Sequence, residues 1–134
     1  MSDTVVVGWV HSPEGQAAVD AAVEEVRRRQ GRLVFVHSSR GGRHEEAEDA
    51  LDVTEGLTEL EQTLGAQGLH VETRYFARGN DPVDDVLDVA EKEDAALIVI
   101  GLRRRTPVGK LLMGSNAQEI LLRADCPVLA VKAR

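Results

Sequence analysis

Apolar residues fall along the chain in five short clusters separated by longer amphipathic stretches. The clusters are Val5-Val6-Val7, Leu33 to Val36, Val71 to Phe76, Ala95 to Ile100 and Val128 to Val131. Four of them are continuous or nearly so, as expected of strands buried on both faces. The third alternates, with Glu72 and Arg74 between apolar positions, and reads as an edge strand with one wet face. The stretches between them carry helical spacing. Ser12-Pro13 supplies an N-cap and a first-turn proline for a helix that puts Ala18, Ala21, Ala22 and Val26 on one face. Ala50, Val53, Leu57, Leu60 and Leu64 mark a second helix. The polar segment Ser38 to Glu46, with Gly41-Gly42, reads as a loop before it. Asp81-Pro82 opens a third helix with Val83, Val86, Leu87 and Ala90 inward. Gly114-Ser115 opens a fourth with Ala117, Ile120, Leu121 and Ala124 inward.

The order β-α-β-α-β-α-β-α-β implies βαβ units, a five-stranded parallel sheet and helices on both faces, an α/β Rossmann-like class. The 134 residues suffice for one such domain, taken as residues 1–134. Composition agrees: 43% of residues are hydrophobic but only 3% aromatic, so the core is built of Val, Leu, Ile and Ala. The net charge of −7 disfavours a nucleic-acid partner. No apolar run approaches the about 18 residues that cross a bilayer, and the start lacks a basic, apolar leader. The expectation is therefore a cytoplasmic protein with no membrane partner. The lone Cys126 precludes an internal disulfide and reads as a packed thiol.

In an open parallel sheet, ligands bind beyond the carboxyl ends of the strands where strand order reverses. The segments there are Gly8 to Ser12, His37 to Arg40, Ala77 to Asn80 and Gly101 to Ser115. The last is the most unusual: it leaves a buried strand, carries Arg103, Arg104, Arg105 and Lys110, and ends on a helix start. Unpaired N–H groups and the helix dipole favour an anion at such a start. Gly114 permits close approach and Ser115 adds a hydroxyl. A plain helix cap beside a solvated basic loop accounts for the same residues. Asp84, Asp85 and Asp88 read as an acidic helix start suited to the dipole, with no metal assigned. His11 and His37 fall at neighbouring strand ends without a metal-ligand spacing. Trp9 reads as core or interface, with base stacking as its alternative.

The segment from Gly101 to Ser115 resembles the nucleotide motif of the universal stress protein family: Gly, two residues, Gly, nine residues, Gly, then Ser or Thr. Ser12-Pro13-Glu14, Gly79-Asn80-Asp81-Pro82, Ala95 to Gly101 and Asp125 to Val131 resemble other blocks of that family. Only about 39–48 is unassigned. The resemblance implies a strand order of 3-2-1-4-5. It implies a ligand, ATP or another adenine nucleotide, near Gly8, Val10, Ser38, Ile100, Gly101, Arg103, Arg104, Arg105, Gly114, Ser115 and Asn116. It also implies a homodimer formed through Val128, Leu129, Ala130 and Val131, an edge strand that needs cover in any case.

Three positions depart from the family pattern. Arg104 stands where the second motif glycine belongs, Val10 where an acidic residue follows the first strand, and Ser38 where an apolar residue lines the base. Two functions follow. One is a stress-response protein that holds a nucleotide or other phosphate ligand, the arginines replacing lost contacts by charge-assisted forks. The alternative is a dimeric interaction module with a degenerate site and an unknown protein partner. Catalysis is not expected. The turn after the first strand is neither a Walker loop nor a hydroxyl-rich phosphate loop, the acidic set of a receiver domain is missing, and no Ser–His–acid arrangement suggests a hydrolase.

Overall fold

A computed structural model of the chain describes residues 3–10, 12–38, 44–76, 81–102 and 114–133; for residues 44–54 it describes the helical backbone alone. Nine elements alternate: β1 (Thr4–Gly8), α1 (Pro13–Arg29), β2 (Arg32–Ser38), α2 (His44–Ala66), β3 (His70–Phe76), α3 (Pro82–Lys92), β4 (Leu97–Leu102), α4 (Ser115–Arg123) and β5 (Val128–Lys132). The strands form one parallel sheet in the order β3-β2-β1-β4-β5. The order matches the expectation and puts β1 at the centre, with the direction of winding reversing between β1 and β4.

Because side chains alternate along a strand, the valines of β1 feed two cores. Val5 and Val7 join Leu33, Phe35, Leu97 and Val99 beneath α1 and α2. Val6 joins Val34, Ile98 and Ile100 beneath α3 and α4. In register, Val7 lies between Phe35 and Val99, and Val6 between Val34 and Ile98. The continuous apolar runs are thus strands covered on both faces.

The local signals act where expected. The Ser12 hydroxyl accepts from the Gly15 N–H at 3.0 Å, with Pro13 in the first turn of α1. The Asp81 carboxylate accepts from the Val83 N–H at 2.9 Å, with Pro82 in the first turn of α3. Helix α1 ends at Gln30 in the left-handed region (φ 52°) and turns at once into β2. The turn requires glycine at 31, where a Cβ would lie 1.9 Å from the Asp3 carbonyl oxygen.

Three readings change. Ser38 is the last residue of β2, and residues 44–46 belong to α2. The run from His44 to Asp49 carries no apolar stripe to reveal a helix, although Glu and Ala are good helix formers and acidic residues suit a helix start. The inner face of α3 is rotated toward Asp85 and Val89, both buried, while Leu87 is only partly covered. In α4 the buried position is Ile120; Leu121 is exposed and Leu122 is 84% exposed. The stripe of α4 is narrow, and Leu121 falls at its margin.

Glu72 and Arg74 on β3 do not simply face water. Arg74 pairs with Glu72 at 2.8 Å and with Glu93, in the turn after α3, at 2.9 Å. Arg32 pairs with Glu72 at 3.0 Å and also with Glu93. The network ties the β3 edge to the end of α3. Its hydrogen bonds to Arg32 and then Arg74 hold Glu93 below the usual carboxylate range.

Phe35 is fully buried in a central position, and Phe35→Ala is expected to cost about 3–5 kcal/mol. Leu122→Ala should stay within about 0.5 kcal/mol of the parent. Urea denaturation of the two variants checks the contrast.

Candidate functional site

The reversal between β1 and β4 opens a crevice at the carboxyl edge of the sheet. Beyond Gly8 the chain stays attached to the sheet, since the Trp9 N–H donates to the Val36 carbonyl at 3.0 Å. Gly8 faces α3: a Cβ there would meet Val86 Cγ2 at 3.3 Å and Ile100 Cγ2 at 3.7 Å. Its missing side chain leaves room, and a cavity of about 150 Å3 lies against it. Six residues proposed from sequence line this cavity together: Gly8, Val10, Ser38, Ile100, Gly101 and Asn116. Val36, Val83, Val86 and Ile120 add apolar wall, and Trp9 also borders the cavity. A concave cleft with apolar walls and a few placed polar groups is the usual make-up of a small-molecule site.

Gly114 and Ser115 are exposed residues at the start of α4, next to Asn116 but outside the cavity lining. Gly114 has φ −65° and ψ 157°, a conformation open to any residue. No described atom lies within 4 Å of where its Cβ would be. Neither backbone conformation nor crowding among the described residues therefore calls for glycine here. Glycine at the N-cap gives the α4 start no side-chain cap; the N–H groups of a helix start favour an anion.

Gly101 differs. A Cβ there would lie 2.3 Å from the Glu14 carbonyl oxygen. Glycine at 101 is thus demanded by the first turn of α1, whatever occupies the cavity. Gly15, in the same turn, would place a Cβ 1.8 Å from the Val10 carbonyl oxygen. Val10 itself is 50% exposed, an apolar side chain at the mouth of the cavity. Arg103, Arg104, Arg105, Lys110, His11 and the segments 39–43 and 77–80 lie outside the described residues.

Sequence reasoning missed Asp85. Its side chain is buried, and the Ser38 hydroxyl donates to its Oδ2 at 2.6 Å. The available signal was its spacing, three residues after Pro82 and four before buried Val89. Among the three neighbouring aspartates, charge suggested solvent and hid that spacing.

On the opposite face, His37 lies between two rings. Its centroid is 5.8 Å from Trp9 and 6.2 Å from Tyr75, both edge-on. Burial lowers the His37 pKa below its ordinary value, so the ring is neutral at neutral pH and packs as an aromatic. Trp9 is 9% exposed and belongs to the core under α1 and α2. A second, wider opening of about 620 Å3 runs between α1 and α2 beside Trp9. It gathers neither the strand-end residues of β2 and β4 nor the α4 start, so the smaller cavity is the better candidate. Cys126 is partly buried; burial, with Asp125 nearby, raises its thiol pKa and so disfavours the thiolate.

Comparison with known proteins bears directly on this arrangement. The model of the universal stress protein family matches residues 1–132. A universal stress protein of Mycolicibacterium smegmatis is 39% identical over 128 residues, covering 96% of both chains. A solved universal stress protein of Archaeoglobus fulgidus superposes with a TM-score of 0.81 at 35% identity, over 98% of this chain and 99% of that one. A universal stress protein structure from the same organism, in complex with dAMP, has a TM-score of 0.73 at 29% identity, over 98% of both chains.

A depressed histidine pKa has a signed consequence for stability. The unfolded chain takes up a proton near the ordinary histidine pKa of about 6.5, and the folded chain only at lower pH. The His37 contribution is therefore complete above that value and declines as pH falls toward the folded pKa. The slope is at most about 1.4 kcal/mol per pH unit. Urea titrations at about pH 7.5 and about pH 5.5 should show this loss in the parent and a smaller one in His37→Gln.

Proposed function

Since the chain belongs to the universal stress protein family, we propose that it is a cytoplasmic stress-response protein that acts by binding an adenine nucleotide or other phosphate ligand in the cavity at the carboxyl edge of the sheet. The observation that carries this reading is Gly114: a glycine that neither its conformation nor a described neighbour requires, at a helix start without a side-chain cap, next to Asn116 in the lining of the cavity. A phosphate close to the backbone there accounts for it. The relative whose structure contains dAMP supports the choice of ligand class. Val10 and Arg104, which depart from the family pattern, favour a second reading in which the cavity is empty and the protein is a dimeric interaction module for a protein partner. In both readings the protein is a homodimer through β5. That strand lies at the edge of the sheet and carries Leu129, 36% exposed. Neither reading includes a catalytic step.

Two experiments separate the readings. Freshly purified protein is denatured and the released small molecules identified by mass spectrometry, followed by calorimetric titration with ATP, ADP, AMP and cyclic AMP. Stoichiometric nucleotide, or saturable binding, is expected. An empty protein with no heat at millimolar nucleotide would overturn the nucleotide reading and make the motif a structural remnant. Gly114→Asp is the accompanying variant. Asp is a favoured N-cap, so the urea midpoint should hold or rise. Its charge at the phosphate position should weaken binding by about tenfold or more, roughly 1.4 kcal/mol.

A further inference from the structure

The sheet has two edges, β3 and β5. An edge strand offers a row of N–H and C=O groups to any second strand that can approach it. The two edges are built differently. β5 reads Val128-Leu129-Ala130-Val131-Lys132, and its one charged residue is the last. It packs against α1 and α4 and pairs with β4.

β3 instead carries Glu72, Thr73 and Arg74 at its centre, each held by a side chain from another element. The Thr73 hydroxyl donates to Glu61 of α2 at 2.8 Å. Arg32, at the start of β2, donates to Glu72 at 3.0 Å, to the Thr4 hydroxyl oxygen at 3.3 Å and to Glu93. Arg74 donates to Glu72 at 2.8 Å and to Glu93 at 2.9 Å. Arg32, Glu72, Arg74 and Glu93 thus form a closed, charge-balanced ring. Glu72 and Arg74 stand in register with Val34 and Val36, residues of the core under α3 and α4. Apolar side chains would extend that core, yet α3 packs over β1 and β2 and leaves this side of β3 to the ring. Inward-facing charges on an edge strand oppose pairing with another strand. A strand laid beside β3 would take water from side chains that are now 20–40% exposed, and removing charges from water is costly.

The asymmetry bears on assembly. If both edges accepted a strand, β5 of one copy could extend β3 of the next, a head-to-tail contact that does not close. With β3 shut, β5 can meet only another β5, an isologous contact that ends at two copies. We propose that the ring of Arg32, Glu72, Arg74 and Glu93 is an assembly stop: it closes the β3 edge to a second copy of this chain and confines pairing to β5. The inference rests on the reading that β5 pairs two copies.

The test is sedimentation velocity of the full chain at increasing protein concentration. The parent should hold at two copies. Glu72→Val with Arg74→Val opens the edge and leaves Arg32 and Glu93 as each other's partners. This double variant should keep a cooperative urea transition and grow beyond two copies as concentration rises. Adding Leu129→Lys, which charges the β5 edge, should abolish that growth. A folded double variant that stays at two copies would overturn the inference. So would growth that persists with Leu129→Lys, because it would then come from general stickiness and not from β3 meeting β5. A monomeric parent would overturn the β5 reading; the stop would fall with it only if the double variant were monomeric as well.

Discussion

The site depends on a backbone-to-backbone contact between the first turn of α1 and the ends of the two central strands. Gly15 lies against the Val10 carbonyl, and Gly101 against the Glu14 carbonyl. No side chain fits at either place, since an added Cβ would fall 1.8 Å and 2.3 Å from those oxygens. The contact draws the exits of β1 and β4 against one helix start and leaves the space on the α3 side free. A glycine that reads in sequence as a ligand-binding position is thus also a hinge pin of the fold.

That division of labour separates the glycines of the motif. Gly101 is required by packing, so its presence says little about a ligand. Gly114 is required by nothing described around it and says more. Motif matches gain or lose weight accordingly once the local geometry is known. Here the fold is carried by the packing glycines and the apolar strands. The departures from the resembled pattern, at Val10, Ser38 and Arg104, fall on none of those packing glycines.

Much of the fold was legible because its determinants are local. Runs of Val, Leu and Ile marked four strands, and Ser12-Pro13 and Asp81-Pro82 marked helix starts within a residue. The α2 start was not legible, because its first turns carry no apolar period and follow a glycine pair. Within the site, Gly8, Val10, Ser38, Ile100 and Gly101 at strand ends and Asn116 at the α4 start could be placed from element order together with family resemblance. The link between Ser38 and Asp85 could not. It joins residues 47 positions apart, and its acidic member resembles its solvated neighbours in every respect except the face of the helix it occupies. The exposed Leu121 and Leu122 mark the same limit, since spacing alone does not reveal which face of a short helix finds a partner.

The row formed by Trp9, His37 and Tyr75 crosses the ends of β1, β2 and β3, with its rings edge to face. Trp9 is the sole tryptophan of the chain. Its backbone is hydrogen-bonded beside Val36, a residue of the cavity wall. The molecule therefore carries a single indole whose main chain adjoins the cleft and whose ring lies edge-on to a titratable group. Its emission is an intrinsic optical reporter, free of background from other indoles, for events on both faces of the sheet.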